Sequence, residues 1–266
     1  MKLNQSAKKI AGIVVSAVLI VGSLGTAAAF AANSGDAVPK DTVKSVSSAP
    51  SPSVSAAVTQ GTIQYCMDTY SCVDGSQNET FERWYDPATK ALRSDLKEYN
   101  NAHQVTRYQS TYYTGGNEII IIQRDLNSGK PLSGTSMTRA AQPELFLKFD
   151  SNGSFDSVKA EYTTSHWTSI GTEQTSDGKT LNKISAPISQ SYINGTTQAN
   201  TQRIVYLDQA TGLPVKDELY EDSTGQYKLF STFTNVYKYV TDDGTIFKPD
   251  DITLTPYQAL AGTAGK

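Results

Sequence analysis

The stretch that decides the fold runs from Thr201 to Tyr239, TQRIVYLDQATGLPVKDELYEDSTGQYKLFSTFTNVYKY. It reads as three antiparallel strands joined by two short turns. Residues alternate: Val205 and Leu207 point one way, Ile204 and Tyr206 the other, as successive side chains of a strand must. The turns are Asp208-Gln-Ala-Thr-Gly212 and Asp222-Ser-Thr-Gly225. In each, the Asp carboxylate can accept backbone N–H groups across the bend, and Gly supplies the positive φ that closes it. As one wall of a curved sheet, this meander should bury Val205, Leu207, Leu213 and Val215 and leave Lys216 and Glu218 outside.

The same pattern extends upstream. Ile63 to Tyr70, Glu79 to Tyr85, Ala91 to Tyr99, Gln104 to Tyr113 and Asn117 to Arg124 read as strands. Asp86-Pro-Ala-Thr-Lys90 and Asp125-Leu-Asn-Ser-Gly129 repeat the turn type. Ile119 to Ile122 is apolar on both faces, so that strand is covered from both sides or has one face on a core and one on a ligand cavity. The middle breaks the pattern. Pro143 stands at a first helical position before Glu144 to Phe149, and a second short helix follows Ser154, with Phe155, Val158 and Tyr162 at helical spacing. Strands resume from Trp167 to Thr175 and Lys179 to Ser185, around an Asp177-Gly178 hairpin turn. Thr245 to Lys248 reads as a last short strand. The sum is a mainly β domain of about nine to eleven antiparallel strands, too many to stay flat. Such a sheet curls into a barrel or half-barrel, and two short helices fit its concave side.

The 266-residue chain carries a net charge of −3, which gives no electrostatic basis for binding nucleic acid. Lys2, Lys8 and Lys9 precede an apolar run from Ile10 to Leu24, and Ala29-Phe30-Ala31 offers the small residues a signal peptidase requires. Residues 1–31 are therefore expected to be a signal peptide, the alternative being an uncleaved membrane anchor. Residues 32–60 are rich in Ser, Pro and Ala with no aromatic residue, which predicts a disordered stalk. The folded domain is expected over 61–255, with a flexible C-terminus over 256–266. The chain is thus expected outside the cytoplasm of a bacterial cell, secreted or in the cell envelope.

Cys66 and Cys72 fall in this exported part, where a disulfide is expected. In one straight strand they would share a face about 20 Å apart, too far to bridge. A disulfide thus requires a tight turn near Asp68 to Tyr70, and the alternative is two free thiols in a continuous strand.

Phe81-Glu-Arg-Trp-Tyr-Asp-Pro87, and above all Tyr206-Leu-Asp-Gln-Ala-Thr-Gly-Leu-Pro-Val-Lys216 running into Phe233-Thr-Asn-Val236, give the chain a family likeness. It resembles the periplasmic lipoprotein-carrier superfamily, comprising LolA-like lipoprotein-sorting, LppX-like glycolipid-binding and RseB-type sigma-regulatory proteins. The resemblance covers roughly Gly61 to Asp251. It implies an unclosed β-barrel, a curved antiparallel sheet capped by short helices, around an apolar pocket for acyl chains. Two departures stand out: a Ser/Pro stalk replaces the amphipathic helix that usually precedes the first strand, and the lipid-anchoring Cys of many relatives is absent.

Catalytic constellations are poor. His103 and His166 sit in no nucleophile motif, Gly134-Thr-Ser136 is not a G-x-S-x-G elbow, and no Gly-rich loop with Lys offers a phosphate site. Asp150-Ser-Asn152-Gly-Ser154 resembles a calcium loop, but Phe155 stands where that loop needs Gly, so no metal or other cofactor is expected. The acidic pairs, Asp217-Glu218 among them, read as solvated surface. The reading is a non-enzymatic binding protein for a lipid or other amphiphile, with Ile119, Ile121, Leu145, Phe149, Trp167, Val205 and Leu207 lining the site. The alternative is an envelope-associated regulatory module that docks a membrane or envelope protein on a packed domain. The leader is tested by intact-mass measurement of the exported protein: cleavage leaves Ala32 as the first residue, and a surviving Met1 would refute it.

Overall fold

The computed structural model describes residues 62–257 apart from 76, 152, 191–198 and 223–225. The expected leader and stalk, the turn after Asp222 and the chain beyond Tyr257 lie outside the described residues. Strands β1 (Thr62–Cys72), β2 (Asn78–Tyr85), β3 (Leu92–Tyr99), β4 (Val105–Tyr113), β5 (Glu118–Arg124) and β6 (Pro131–Thr138) come first. Helices α1 (Pro143–Ser151) and α2 (Phe155–Glu161) follow. The chain then forms β7 (Thr168–Gln174), β8 (Thr180–Gln190), β9 (Ala199–Asp208), β10 (Pro214–Asp222), β11 (Tyr227–Thr241) and β12 (Leu254–Pro256).

All twelve strands form one sheet, in the order β12-β6-β5-β4-β3-β2-β1-β11-β10-β9-β8-β7. The sheet does not close, so the architecture is an unclosed half-barrel with two short helices. Two meanders meet where β1 pairs with β11, Thr62 opposite Thr241 and Cys72 opposite Ser231. Every pairing is antiparallel except that of β12 with β6. Two expectations need correction here. The final strand is Leu254–Pro256, whereas Thr245 to Lys248 forms a turn closed by the Lys248 N–H on the Thr245 carbonyl, 3.1 Å. In addition, β6 is a full strand where none was expected. Its sequence, PLSGTSMT, starts on Pro and contains Gly134, which hides the alternation. Gly134 is there for space: a Cβ would stand 2.5 Å from Leu254 Cδ2 and 2.9 Å from Ile252 Cδ1.

The Asp-led turns work as the sequence implies. At Asp86, Asp125 and Asp208 the carboxylate accepts the N–H two residues on, at 2.9, 3.2 and 2.8 Å. The N–H four residues on reaches the Asp carbonyl at 2.8, 3.0 and 2.7 Å. That fifth residue takes a left-handed backbone: Gly129 at φ 70°, Gly212 at 71°, but Lys90 at 61°.

Facing residues across antiparallel pairs share a side of the sheet. One side carries Ile119, Tyr113, Leu92, Tyr85, Gln64 and Tyr239 across successive strands, and both helices pack on it. This is the concave side. The opposite, convex side of β4 and β5 is covered by the chain's own C-terminal segment. Ile252 and Leu254 pack on Tyr112, Ile120 and Ile122, and Asp250 pairs with Arg124 at 2.6 Å. The isoleucine run is therefore covered on both faces.

Because left-handed backbone costs a non-glycine residue about 1–2 kcal/mol before the greater unfolded-state freedom of Gly is deducted, Lys90→Gly should stabilise the domain by about 0.5–1 kcal/mol. Gly129→Ala should destabilise it by at least as much. Urea unfolding of the two variants beside the parent checks both signs.

Candidate functional site

The concave face has an apolar wall and a polar middle. At the β4–β6 end, Tyr113, Ile119, Ile121 and Met137 are buried, with Ile119 opposite both Tyr113 and Met137. Helix α1 closes over them. Its Pro143 opens the helix as expected, and Phe146 and Phe149 set their rings 5.9 and 5.6 Å from that of Tyr113. Each buried Phe contributes about 1.5–3 kcal/mol. Arg139 and the Tyr113 hydroxyl both bond Asp150, which fixes the end of α1. These two contacts hold the Asp150 carboxyl below its ordinary range.

Helix α2 starts on Ser154, whose Oγ accepts the Ser157 N–H at 3.0 Å. This is an ordinary N-cap. Phe155 then packs with Cys66 and Leu213, edge-on to Tyr237 and tilted on Tyr239, and its N–H bonds Gln64 Oε1 at 2.7 Å.

The middle of the face, between β2 and β9, is where reading the sequence went wrong. Asp68, Arg83, Arg203 and Asp217 are all buried there, Asp217 only 2% exposed. Arg203 Nε donates to Asp217 Oδ2 at 2.6 Å, its Nη1 to Glu161 Oε1 of α2 at 2.9 Å, and its Nη2 to the Tyr162 hydroxyl at 3.3 Å. Its guanidinium lies 5.5 Å from the Trp167 ring centre, and the Trp167 indole donates to the Glu161 carbonyl at 3.0 Å. Asp68 Oδ1 accepts the Cys66 thiol at 3.0 Å and, at the same distance, the Asn235 amide when its NH₂ is turned toward Asp68. Burial raises the Asp68, Asp217 and Glu161 carboxyls above their ordinary values, Arg83 opposing this at Asp68 and Arg203 at the other two. Burial also works to lower Arg203, but Asp217, Tyr162 and Glu161 outweigh it and hold the guanidinium charged.

Three expectations are corrected here. Asp217 and Glu218 are not solvated surface, and Glu218 is not outside. Asp217 joins the concave cluster, while Glu218 is buried on the convex side, taking the Tyr206 and Tyr220 hydroxyls at 2.8 and 2.9 Å and Lys216 at 2.5 Å. Val205 and Leu213 are buried as anticipated, and Leu207 and Val215 are half-buried. The cysteines are free and form no disulfide, because β1 runs unbroken from Thr62 to Cys72 and keeps both on one face without the turn a bridge requires. The Cys66 thiol is pushed up by burial and by Asp68, which makes it inert, and the Cys72 sulfur lies 3.1 Å from the Tyr70 hydroxyl.

The anticipated lining residues divide into two groups. Ile119, Ile121, Leu145 and Phe149 are buried at the β5–α1 end, whereas Val205, Leu207 and Trp167 stand at the β9 end, with six strands between β5 and β9. What the sequence reading missed is the polar centre between them. Its signal was present: Gln64 and Asp68 alternate with Ile63 and Tyr65 along β1, and Arg203 precedes Val205 on one face of β9. Among the described residues no three His, Cys, Asp or Glu side chains converge as metal ligands would, and no helix is long and apolar enough to cross a membrane.

A curved, unclosed sheet with two short helices on its concave side defines a half-barrel. Its chain path is similar to that of MucB from Pseudomonas aeruginosa, solved in complex with MucA, at 14% identity and TM-score 0.34 over 70% of this chain and 56% of that one. It is also similar to the hypothetical protein CT021 from Chlamydia trachomatis, at 13% identity and TM-score 0.31 over 70% of this chain and 92% of that one. A third likeness is to a putative outer membrane lipoprotein-sorting protein domain from Vibrio parahaemolyticus, at 9% identity and TM-score 0.27 over 69% and 86%. The chain spans a little over half the length of MucB. No family model and no curated protein matches the sequence.

Arg203→Met should lower stability by about 3–5 kcal/mol at neutral pH, because Asp217 and Glu161 would remain buried without their counter-ion. Both carboxyls already stand above their ordinary values, so the folded state takes up protons more readily than the unfolded chain. Stability therefore falls as pH rises through that window, and the variant should recover part of its loss near pH 5. Urea melts of parent and variant at the two pH values give the comparison.

Proposed function

We propose that this is a non-enzymatic binding protein of the bacterial cell envelope that holds a lipid or similar amphiphile on its concave face. The observation that carries the reading is the make-up of that face. An apolar wall of Tyr113, Ile119, Ile121 and Met137, closed by Phe146 and Phe149 of α1, shares that face with a polar centre further along the sheet, and the two helices on it have only nine and seven residues. An acyl chain needs the first and a head group the second. The exported character of the N-terminal sequence supports an extracytoplasmic setting, secreted or envelope-bound.

A second reading rests on a different observation. Strand β7 ends the sheet with all seven of its residues exposed, Ile170 at 46%, so its outer backbone edge can pair with an extended segment of a membrane or envelope protein.

Native mass spectrometry of the mature protein from its own host should show co-purifying lipid, and a fluorescent fatty acid should bind and be displaced by it. Ile121→Asp should weaken that binding at least tenfold, by placing a charge on the apolar wall. Protein free of lipid that also fails to bind the fluorescent probe would overturn the lipid reading and leave the β7 edge as the functional surface.

A further inference from the structure

Resting on the lipid-binding reading above, we propose that the polar centre of the concave face is a site for one primary ammonium group, the head of the bound amphiphile. The inference begins with hydrogen-bond acceptors that have nothing to accept. Asp68 is 4% exposed and Asp217 2%, yet Asp68 Oδ2 and Asp217 Oδ1 are buried without a hydrogen-bond partner. Buried carboxylate oxygens are seldom left unpaired, since the cost of desolvation is then uncompensated.

The sheet register places them together. Asp217 stands opposite Phe233 on β11, which makes it a diagonal neighbour of Asn235 on the same face. Asn235 in turn stands opposite Asp68 on β1. The two unmet acceptors thus stand on β1 and β10 of one surface, with only β11 between them.

Charge points the same way. Asp68, Asp217 and Glu161 put three carboxyls in this cluster, and Arg83 and Arg203 supply two guanidiniums. One further positive charge would balance it. The partners already present are also saturated in a telling way: Arg203 uses its fork on Asp217 Oδ2, Glu161 and Tyr162, which leaves the other Asp217 oxygen for an outside donor. A primary ammonium carries three N–H donors and one charge, which answers both deficits. A phosphate or carboxylate head supplies acceptors where acceptors are already in excess, and a hydroxyl brings no charge. The Tyr162 ring, 5.8 Å from the Arg203 guanidinium, adds an aromatic face of the kind that favours cations. The apolar wall at β4–β6 lies on the same face, with β3 and β2 between it and β1, so head and tail have separate places.

The test uses one tail with three heads: dodecylammonium, dodecanol and dodecanoate, titrated calorimetrically into the mature chain, with ethylammonium as the tail-less control. Dodecylammonium should bind roughly tenfold or more tightly than either of the others, the effect of charge-assisted hydrogen bonds in a buried setting. In Asp217→Asn and Asp68→Asn, which keep side-chain shape, the ratio of dodecylammonium to dodecanol affinity should collapse toward one. Equal binding of all three heads to the parent would overturn the ammonium site and leave the lipid reading standing, with no variant needed. Failure of every twelve-carbon probe, with ethylammonium binding alone, would instead keep the ammonium site and remove the lipid. Binding of none of the four would overturn both.

Discussion

Much of the molecule depends on one buried side chain. Arg203 leaves β9 at the sheet, clamps Asp217 of β10, and meets Glu161 and Tyr162 at the end of α2, with Trp167 alongside. Sheet and helix are thereby tied at a point where neither could bury its charge alone. A buried ion pair of this kind adds little net stability, since desolvation consumes most of the attraction. Its value is positional: α2 cannot slide along the sheet without stranding a carboxylate.

The two sides of the sheet solve different problems. On the convex side, the C-terminal segment returns over β4 and β5, and Ile252, Leu254 and Asp250 fill what would otherwise be an exposed apolar stripe with a buried arginine beneath it. On the concave side, two short helices do the covering, each held by a few aromatic rings and a small set of polar contacts. The first cover is continuous chain laid into a groove that Gly134 keeps open; the second is made of pieces that end after two turns. A protein that must keep one face closed and make the other available would be built with this asymmetry.

The sheet was largely legible in the sequence because period-two alternation and Asp-led turns are local signals. The meander around Val205, the Ile119 to Ile122 run and both helices follow from spacing alone. Strand β6 did not, because Pro131 and Gly134 break its alternation and its place is set by Ile252 and Leu254, more than a hundred residues away. On the concave face only the burial of the apolar end was legible. Asp217 and Glu218 looked like any acidic pair near a turn; only the pairing of β9 with β10 reveals that Arg203 waits for one and two tyrosines for the other. The cysteines show the same limit. Compartment argued for a bridge, geometry against it, and an unbroken β1 decided for geometry.

The pairing of β1 with β11 has a consequence for how the chain reaches this state. Thr62 meets Thr241, a separation of 179 residues (241 − 62), while nearly every other neighbour in the sheet is joined through one turn. Each meander can therefore assemble from local contacts, but the seam between them waits for the last long strand. Contacts of such range are slow to form because the loop they close must first lose its freedom. Until then one edge of β1, bearing Cys66 and Asp68, stands unsealed, and a chain emerging from N- to C-terminus would complete its polar centre and join its two meanders in the same late event.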